Sequence, residues 1–259
     1  MANRLKQRLQ SGKACVNGWL AIPSGFAAEV MAQCGWDGIC VDLQHGVQDY
    51  LSMVGCLQAM QAHPVTPVVR VPSNEPGIVG KVLDAGAMGV ICPMINTRAQ
   101  AEAFVASCRY PPAGQRSNGP IRAALYGQAS SYQRTANDEV LTMPMIETQE
   151  AVDNLDDILG VPGIDAVYVG PSDLSLSRGG APVLDNDDPE TLAIYDRIIE
   201  ACNRRGIVPA IHTGHPDHAS RMLQRGFRLV SVSNDIGLMA QAATAAVQAT
   251  RQAAGPVAR

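Results

Sequence analysis

Four side chains with chemical potential stand where short apolar runs end. Glu147 closes the run Leu141-Thr142-Met143-Pro144-Met145-Ile146, and Asp173 lies just past Ala166-Val167-Tyr168-Val169-Gly170-Pro171-Ser172. Arg70 follows Val68-Val69, and His45 sits in Val41-Asp42-Leu43-Gln44-His45-Gly46. Two hard carboxylate ligands, with no nearby Cys or His to make a zinc set, suit Mg²⁺ or Mn²⁺. His45 reads either as a general base, because an imidazole titrates near neutrality, or as a cap on its strand. Asp42, three residues upstream, is placed to orient that imidazole. Arg70 follows an apolar strand, so its head needs a partner. A carboxylate-bearing ligand or an enolate oxygen would fill its fork, and an ion pair with Asp42 or Glu147 is the alternative. Asp84, in Lys81-Val82-Leu83-Asp84-Ala85-Gly86, is grouped with these candidates. Two acids on neighbouring loops can also be ordinary solvated residues.

Other motifs are weaker. His212, His215 and His218 have H-x-x-H-x-x-H spacing, but Pro216 interrupts it. His212 is expected at a pocket rim, and His215 and His218 at the start of a solvated helix. Ser24 and Ser172 lack the context of a nucleophile elbow. Cys108 has no evident His partner. The three lysines are Lys6, Lys13 and Lys81, and none ends a strand. A Schiff-base aldolase needs a lysine at such a position. Carbon–carbon chemistry here would therefore need a metal to stabilise the electrons.

The elements that must position these groups alternate. Strands are expected at 15–22, 37–43, 66–71, 89–94, 141–147, 165–170, 207–212 and 228–233. Helices are expected at 25–34, 50–62, 75–85, 97–107, 149–159, 188–205, 216–225 and 236–253. Strict alternation implies a parallel sheet, and eight repeats favour closure into a (β/α)₈ TIM barrel, an α/β fold. Parallel barrels place chemistry at the C-terminal ends of their strands, which is where these acids fall. Strand one is followed by Ile22-Pro23-Ser24-Gly25-Phe26, not by the glycine-rich loop of an open dinucleotide-binding sheet. No linker or composition shift divides residues 1–259, so one domain is expected. The connection 108–140 is too long for a simple turn and carries Arg109, Tyr110, Arg116, Arg122 and Tyr126. It reads as a lid or an interface element. The Ala-rich C-terminal helix reads as packing on a partner subunit.

Composition closes several doors. The 259 residues are 46% hydrophobic, enough for a large core. A net charge of -4 gives no basic surface for nucleic acid, and three lysines make no membrane patch. No apolar run reaches a bilayer span of about 20 residues. The polar N-terminus lacks the apolar core of a signal peptide. Seven unpaired-looking cysteines suggest reduced, mostly buried thiols in a cytoplasmic protein.

These residues in this order resemble the HpcH/HpaI family of metal-dependent (class II) pyruvate aldolases. The similarity runs through Asn17-Gly18-Trp19-Leu20, Val41-Asp42-Leu43-Gln44-His45-Gly46, Arg109-Tyr110-Pro111-Pro112, Gly114-x-Arg116, Ile146-Glu147-Thr148 and Tyr168-Val169-Gly170-Pro171-Ser172-Asp173-Leu174-Ser175. Within the family the chain is most similar to the hydroxyketoacid and 4-hydroxy-2-oxo-acid aldolases. The resemblance implies reversible cleavage of a 4-hydroxy-2-oxo acid to pyruvate, or hydroxypyruvate, and an aldehyde. It implies Glu147 and Asp173 as ligands of Mg²⁺ or Mn²⁺, with Co²⁺, Zn²⁺ or Ni²⁺ as substitutes, and no organic cofactor. Arg70 would contact the keto oxygen. His45, held by Asp42 and helped by a water on the metal, would be the acid/base group. Backbone N–H groups of Ser172 and Asp173 would receive the substrate carboxylate. Asp84 would reach the site of a neighbouring subunit in a homo-hexamer, a trimer of dimers with exchanged C-terminal helices. One departure stands out: many members carry Gln where this chain has Met145. An oxaloacetate decarboxylase sharing the enolate is the nearest rival, and a metal-dependent hydrolase or a non-catalytic barrel is more distant.

Overall fold

The structure, a computed structural model, describes residues 2–126 and 131–254. Eight parallel strands close into a barrel in sequence order. They are β1 Cys15–Leu20, β2 Gly38–Asp42, β3 Thr66–Arg70, β4 Gly89–Cys92, β5 Leu141–Ile146, β6 Ala166–Val169, β7 Val208–Thr213 and β8 Leu229–Val232. Each pairs with its neighbours in sequence, and β8 closes on β1 through Val230↔Val16. All eight lie within the expected ranges except β7, which runs one residue further. No described helix is long and apolar enough to cross a membrane.

Period-two alternation sorts the strands into two faces. Ile39, Val41, Val69, Val90, Val167, Val169, Ile211 and Val230 face outward into the layer under the helices. Cys15, Trp19, Cys40, Val68, Ile91, Met143, Met145, Tyr168, Ala210 and Leu229 fill the barrel. Continuing that inward register by two residues leads to the mouth. Asp42 follows Cys40, Arg70 follows Val68, Glu147 follows Met145, Gly170 follows Tyr168 and His212 follows Ala210. The same arithmetic places Asn17 and Ser231 inside the barrel, below the mouth.

The helices of the outer layer are α2 Gly25–Ala32, α3 Tyr50–Met60, α4 Pro76–Asp84, α5 Arg98–Cys108, α8 Gln149–Asp153, α9 Leu155–Leu159, α11 Pro189–Arg205, α12 Pro216–Arg225 and α13 Asp235–Ala254. Their starts follow local chemistry. Asp49 with Ser52, and Thr97 with Gln100, form capping boxes. Proline sits in the first turn of α4, α11 and α12, where no N–H partner is lost. The single helix expected over 149–159 is two. Asn154 breaks it, because its amide leaves the helix to donate to Asn96 O at 2.9 Å.

Four helices were not read from the sequence: α1 Arg4–Gln10, α6 Ala123–Tyr126, α7 Tyr132–Glu139 and α10 Pro171–Ser177. Helix α1 plugs the barrel floor with Leu5 and Leu9, an i, i+4 pair buried among the interior side chains. There Lys6 and Arg109 flank Asp165, with N···O distances of 2.7 and 2.9 Å. The connection 108–140 holds α6 and α7. Its residues 127–130, and the side chain of Tyr126, lie outside the described residues. Arg109 donates to Val140 O and Gly163 O, at the entry end of β5 and before β6. Arg116 stacks on Tyr110 and pairs with Asp84 at 2.7 Å. These anchors lie at the floor of the barrel, away from this chain's own mouth, so of the two expected roles, lid or interface element, the described residues do not form a lid over that mouth.

Candidate active site

At the mouth lies a cavity of about 220 Å³, lined by Trp19, His45, Arg70, Met145, Tyr168, Gly170, Pro171, Ser172, Asp173, Leu184 and His212. Glu147 stands beside it and is 2% exposed. Its Oε1 accepts the Met94 N–H at 2.7 Å. Met94 holds a left-handed φ of 57°, a strained conformation for a residue with a Cβ. That strain aims the N–H at the carboxylate, and such strain gathers at functional sites. Oε2 accepts no hydrogen bond from a described residue.

Burial pushes the Glu147 carboxyl up to about 7. The Met94 hydrogen bond opposes the shift, Asp173 adds like-charge repulsion, and Arg70 opposes it weakly. A carboxylate so desolvated, with a second carboxylate beside it, lacks its counter-charge. That is the electrostatic signature of a cation site, and two oxygen ligands suit a hard divalent ion that keeps other positions for water and substrate. Among the described residues no group of three or more His, Cys, Asp or Glu gathers to hold a metal. Glu147 and Asp173 are therefore a pair and not part of a closed cage.

The turn after β6 brings the two acids together. A Cβ on Gly170 would meet Glu147 Oε2 at 2.6 Å and Met145 Cε at 3.0 Å. Only glycine lets β6 pass this close to the carboxylate. Pro171 then starts α10, and Asp173 lies in its first turn. The N–H groups of Ser172 and Asp173 belong to that turn, where no carbonyl of the helix can reach them.

Arg70 carries the other charge at the mouth. Its Nε and Nη2 donate to Asp42 Oδ1 and Oδ2 at 2.9 and 2.5 Å. Its guanidinium lies over the Trp19 ring at 4.9 Å. Asp42 also accepts from Trp19 Nε1 at 3.2 Å and from the backbone N–H groups of Gln44 and His45 at 3.0 and 3.3 Å. Burial raises the Asp42 carboxyl, but the Arg70 fork and these donors outweigh it and hold the group below its usual range. In this structure Asp42 holds the Arg70 fork and the backbone N–H of His45, and it makes no hydrogen bond to the His45 imidazole. His45 itself is exposed at the mouth.

Asp84 is elsewhere. It ends α4, at the floor of its own barrel, in a surface cleft with Lys81 and Arg116. The structure does not bring it to the mouth of this chain. His215 caps α12 and is exposed. His218 is not solvated as expected but 2% exposed, with Nδ1 3.0 Å from Arg221 Nη2. His212 does line the cavity.

Sequence reasoning missed Trp19, Tyr168, Met94 and Leu184 as parts of the site. The inward register of β1 and β6 carries the signal for the first two. Met94 and Leu184 lie on loops, where no periodicity places a side chain.

A family model described as HpcH/HpaI aldolase/citrate lyase matches residues 18–242. A hydroxypyruvate/pyruvate aldolase of Rhizorhabdus wittichii is 36% identical over 93% of this chain and 96% of its own length. A 4-hydroxy-2-oxo-heptane-1,7-dioate aldolase of Escherichia coli is 34% identical over 95% of this chain and 94% of its own. The crystal structure of an HpcH/HpaI aldolase/citrate lyase family protein from Burkholderia cenocepacia superposes with a TM-score of 0.91 at 34% identity. It covers 96% of this chain and all of that one.

Proposed function

The chain belongs to the HpcH/HpaI aldolase/citrate lyase family and is a carbon–carbon lyase, and from that premise we propose how its residues work. The reaction is reversible cleavage of a 4-hydroxy-2-oxo acid to pyruvate, or hydroxypyruvate, and an aldehyde. One observation carries the site assignment: the buried Glu147 carboxylate, pushed up to about 7 by burial beside Asp173, with no ion pair to a basic side chain among the described residues. Glu147 and Asp173 would hold a divalent metal, Mg²⁺ or Mn²⁺ by the hardness of their oxygens. When bound, that ion supplies positive charge where the enolate oxygen develops.

The chain's own groups supply the rest. Arg70 has one edge fixed by Asp42, which leaves Nη1 to meet the keto oxygen as negative charge grows there. The free N–H groups of Ser172 and Asp173 receive the substrate carboxylate. His45, exposed at the mouth, takes the C4 hydroxyl proton. The C3–C4 bond then breaks, its electrons pass into the enolate, and the aldehyde leaves. Protonation at C3 gives the 2-oxo acid. Met145 lines the cavity without a hydrogen-bonding group. The mostly buried, unbridged cysteines fit a reducing, cytoplasmic setting.

Deuterium exchange into the methyl group of pyruvate tests this reading. Exchange is expected with Mn²⁺ or Mg²⁺, lost in EDTA and lost in Glu147→Ala. Metal-loaded protein that leaves the methyl protons in place would overturn the enolate mechanism. Decarboxylation of oxaloacetate far faster than aldol cleavage would favour the rival lyase.

A further inference from the structure

Among the described residues, two that are not glycine hold a left-handed backbone: Met94 at φ 57° and Ser233 at φ 54°. Met94 serves Glu147, but Ser233 has no part in the proposed mechanism. Strain of this kind persists only where surrounding contacts fix it. Ser233 donates its N–H to Thr213 O at 2.7 Å, and a Cβ on Gly237 would meet Ser233 Oγ at 2.6 Å. The turn leads directly into α13. Asn234 caps that helix by accepting the Gly237 N–H at 2.8 Å. Asp235 is the first residue of the helix and is 5% exposed.

The Asp235 carboxylate accepts three backbone N–H groups. Oδ1 accepts from Ala21 and from Ile236, both at 2.9 Å, and Oδ2 accepts from Ile22 at 3.1 Å. Every donor is a backbone amide, so each bond has one possible direction. Ala21 and Ile22 are the residues that leave β1, and their carbonyls hold the loop that carries His45. Ala21 O accepts the Val47 N–H at 3.2 Å, and Ile22 O accepts Gln48 Nε2 at 2.5 Å. A Cβ on Gly46 would meet Asp42 O at 2.8 Å and Ala21 Cα at 3.1 Å, so the backbone beside His45 lies against Ala21. On the other side, Asp42 accepts the His45 N–H at 3.3 Å. His45 lines the cavity but is exposed. Its position is therefore set through its backbone, by Asp42 before it and by Ala21 and Ile22 after it.

We propose that Asp235 is a positioning residue for the acid/base step: it pins Ala21 and Ile22, and through them holds the His45 loop at the mouth. The left-handed turn at Ser233 then has a use, because it brings the start of α13 back against the exit of β1. A misplacement of about 1 Å can cost an enzyme on the order of 100-fold in rate. The inference rests on the aldolase reading above, in which His45 takes the C4 hydroxyl proton.

Two reactions through the same enolate separate positioning from general damage. Cleavage of 4-hydroxy-2-oxopentanoate requires the C4 hydroxyl to give up its proton as C3–C4 breaks. Oxaloacetate reaches the enolate by loss of CO₂, whose bonding electrons pass into it, and has no such proton to remove. Asp235→Ala should lower kcat for cleavage by about tenfold or more and leave decarboxylation within about twofold of wild type. Asp235→Asn, which keeps one acceptor oxygen, should recover part of the loss. Gly46→Ala presses on Ala21 from the other side and should show the same split with α13 untouched, so it carries the test even if Asp235→Ala fails to fold. Mn²⁺ affinity should hold in all three, because Glu147 and Asp173 follow β5 and β6, across the barrel from β1 and β2. Spectra of histidine-labelled protein give a readout without turnover: the His45 imidazole signals, assigned by their loss in His45→Ala, should shift in the Asp235 and Gly46 variants. Equal losses in both reactions, undiminished cleavage, or His45 signals that stay in place overturn the proposal. Wild-type protein that cleaves no 4-hydroxy-2-oxo acid overturns the aldolase reading instead, and that outcome is seen before any variant is made.

Discussion

Glu147 shows how one side chain trades stability for readiness. Its carboxyl is about 7 in the fold against an ordinary value of 4.5. The folded state therefore holds a proton that the unfolded state has released between those two values. Stability is then favoured below about 4.5 and lost as pH rises through 7, an effect on the order of 3 kcal/mol when the group is fully ionised. In metal-free protein, Glu147→Gln should leave thermal stability unchanged at pH 4.5 and raise it over wild type at pH 8. Thermal unfolding in EDTA across this range checks it, and a gap that does not widen with pH would contradict the assignment. A cation at neutral pH must displace that proton, so metal affinity should rise over the same interval. Asp42 has the opposite character. Arg70 holds it ionised, so it organises the site without waiting for a ligand.

Elements set the spacing between these groups. Strands β5 and β6 are paired through Met145↔Tyr168 and Ile146↔Val169. That register brings Glu147 and Gly170 side by side at the mouth. The approach works only because Gly170 has no side chain. Gly170→Ala should drive Glu147 from its position while leaving the barrel folded. The expected result is metal affinity or kcat/KM lower by at least tenfold, read by titration calorimetry with Mn²⁺ beside an unchanged far-ultraviolet spectrum. Wild-type affinity in that variant would mean that the turn tolerates the extra methyl. Met94, on the loop after β4, adds a second local constraint, since its left-handed backbone points the one N–H that Glu147 accepts.

At the scale of the whole molecule, the barrel is finished at its floor but not along its last helix. Leu5 and Leu9 of α1 close the floor, together with the buried Lys6–Asp165–Arg109 cluster. Helix α13 is exposed from Met239 to Ala253, although Ile236, Met239 and Val247 are apolar. Further apolar side chains, Phe26, Val30, Val47 and Leu51, are exposed on or beside α2 and α3. Such surfaces mark interfaces. The hexamer implied by the family resemblance would cover them and would bring Asp84 near another subunit's mouth. The full chain should sediment as a multiple of 27.4 kDa. A chain ending before Met239 should lose mass in sedimentation while its barrel unfolds at nearly the same temperature. A full chain that sediments as a single copy would remove the role given to Asp84.

The sequence by itself determined the barrel and most of its mouth. Eight apolar runs at regular spacing give a parallel closed sheet, and the inward period of two carries Asp42, Arg70, Glu147 and His212 to one end. Those signals are local, because backbone pleating and burial act over a few residues. What the sequence left open depended on contacts between distant segments. Asp42 is three residues from His45 but 28 from Arg70, and the buried fork won because both carboxylate oxygens gain charged donors there. Helix α1 was hidden because a seven-residue amphipathic segment is marginal until a barrel floor receives its two leucines. The hydrogen-bonded contacts among Asn17, Ser231, Tyr168 and His212 join strand positions separated by up to 214 residues. Only closure of the barrel, which pairs β8 with β1, puts them within hydrogen-bonding reach.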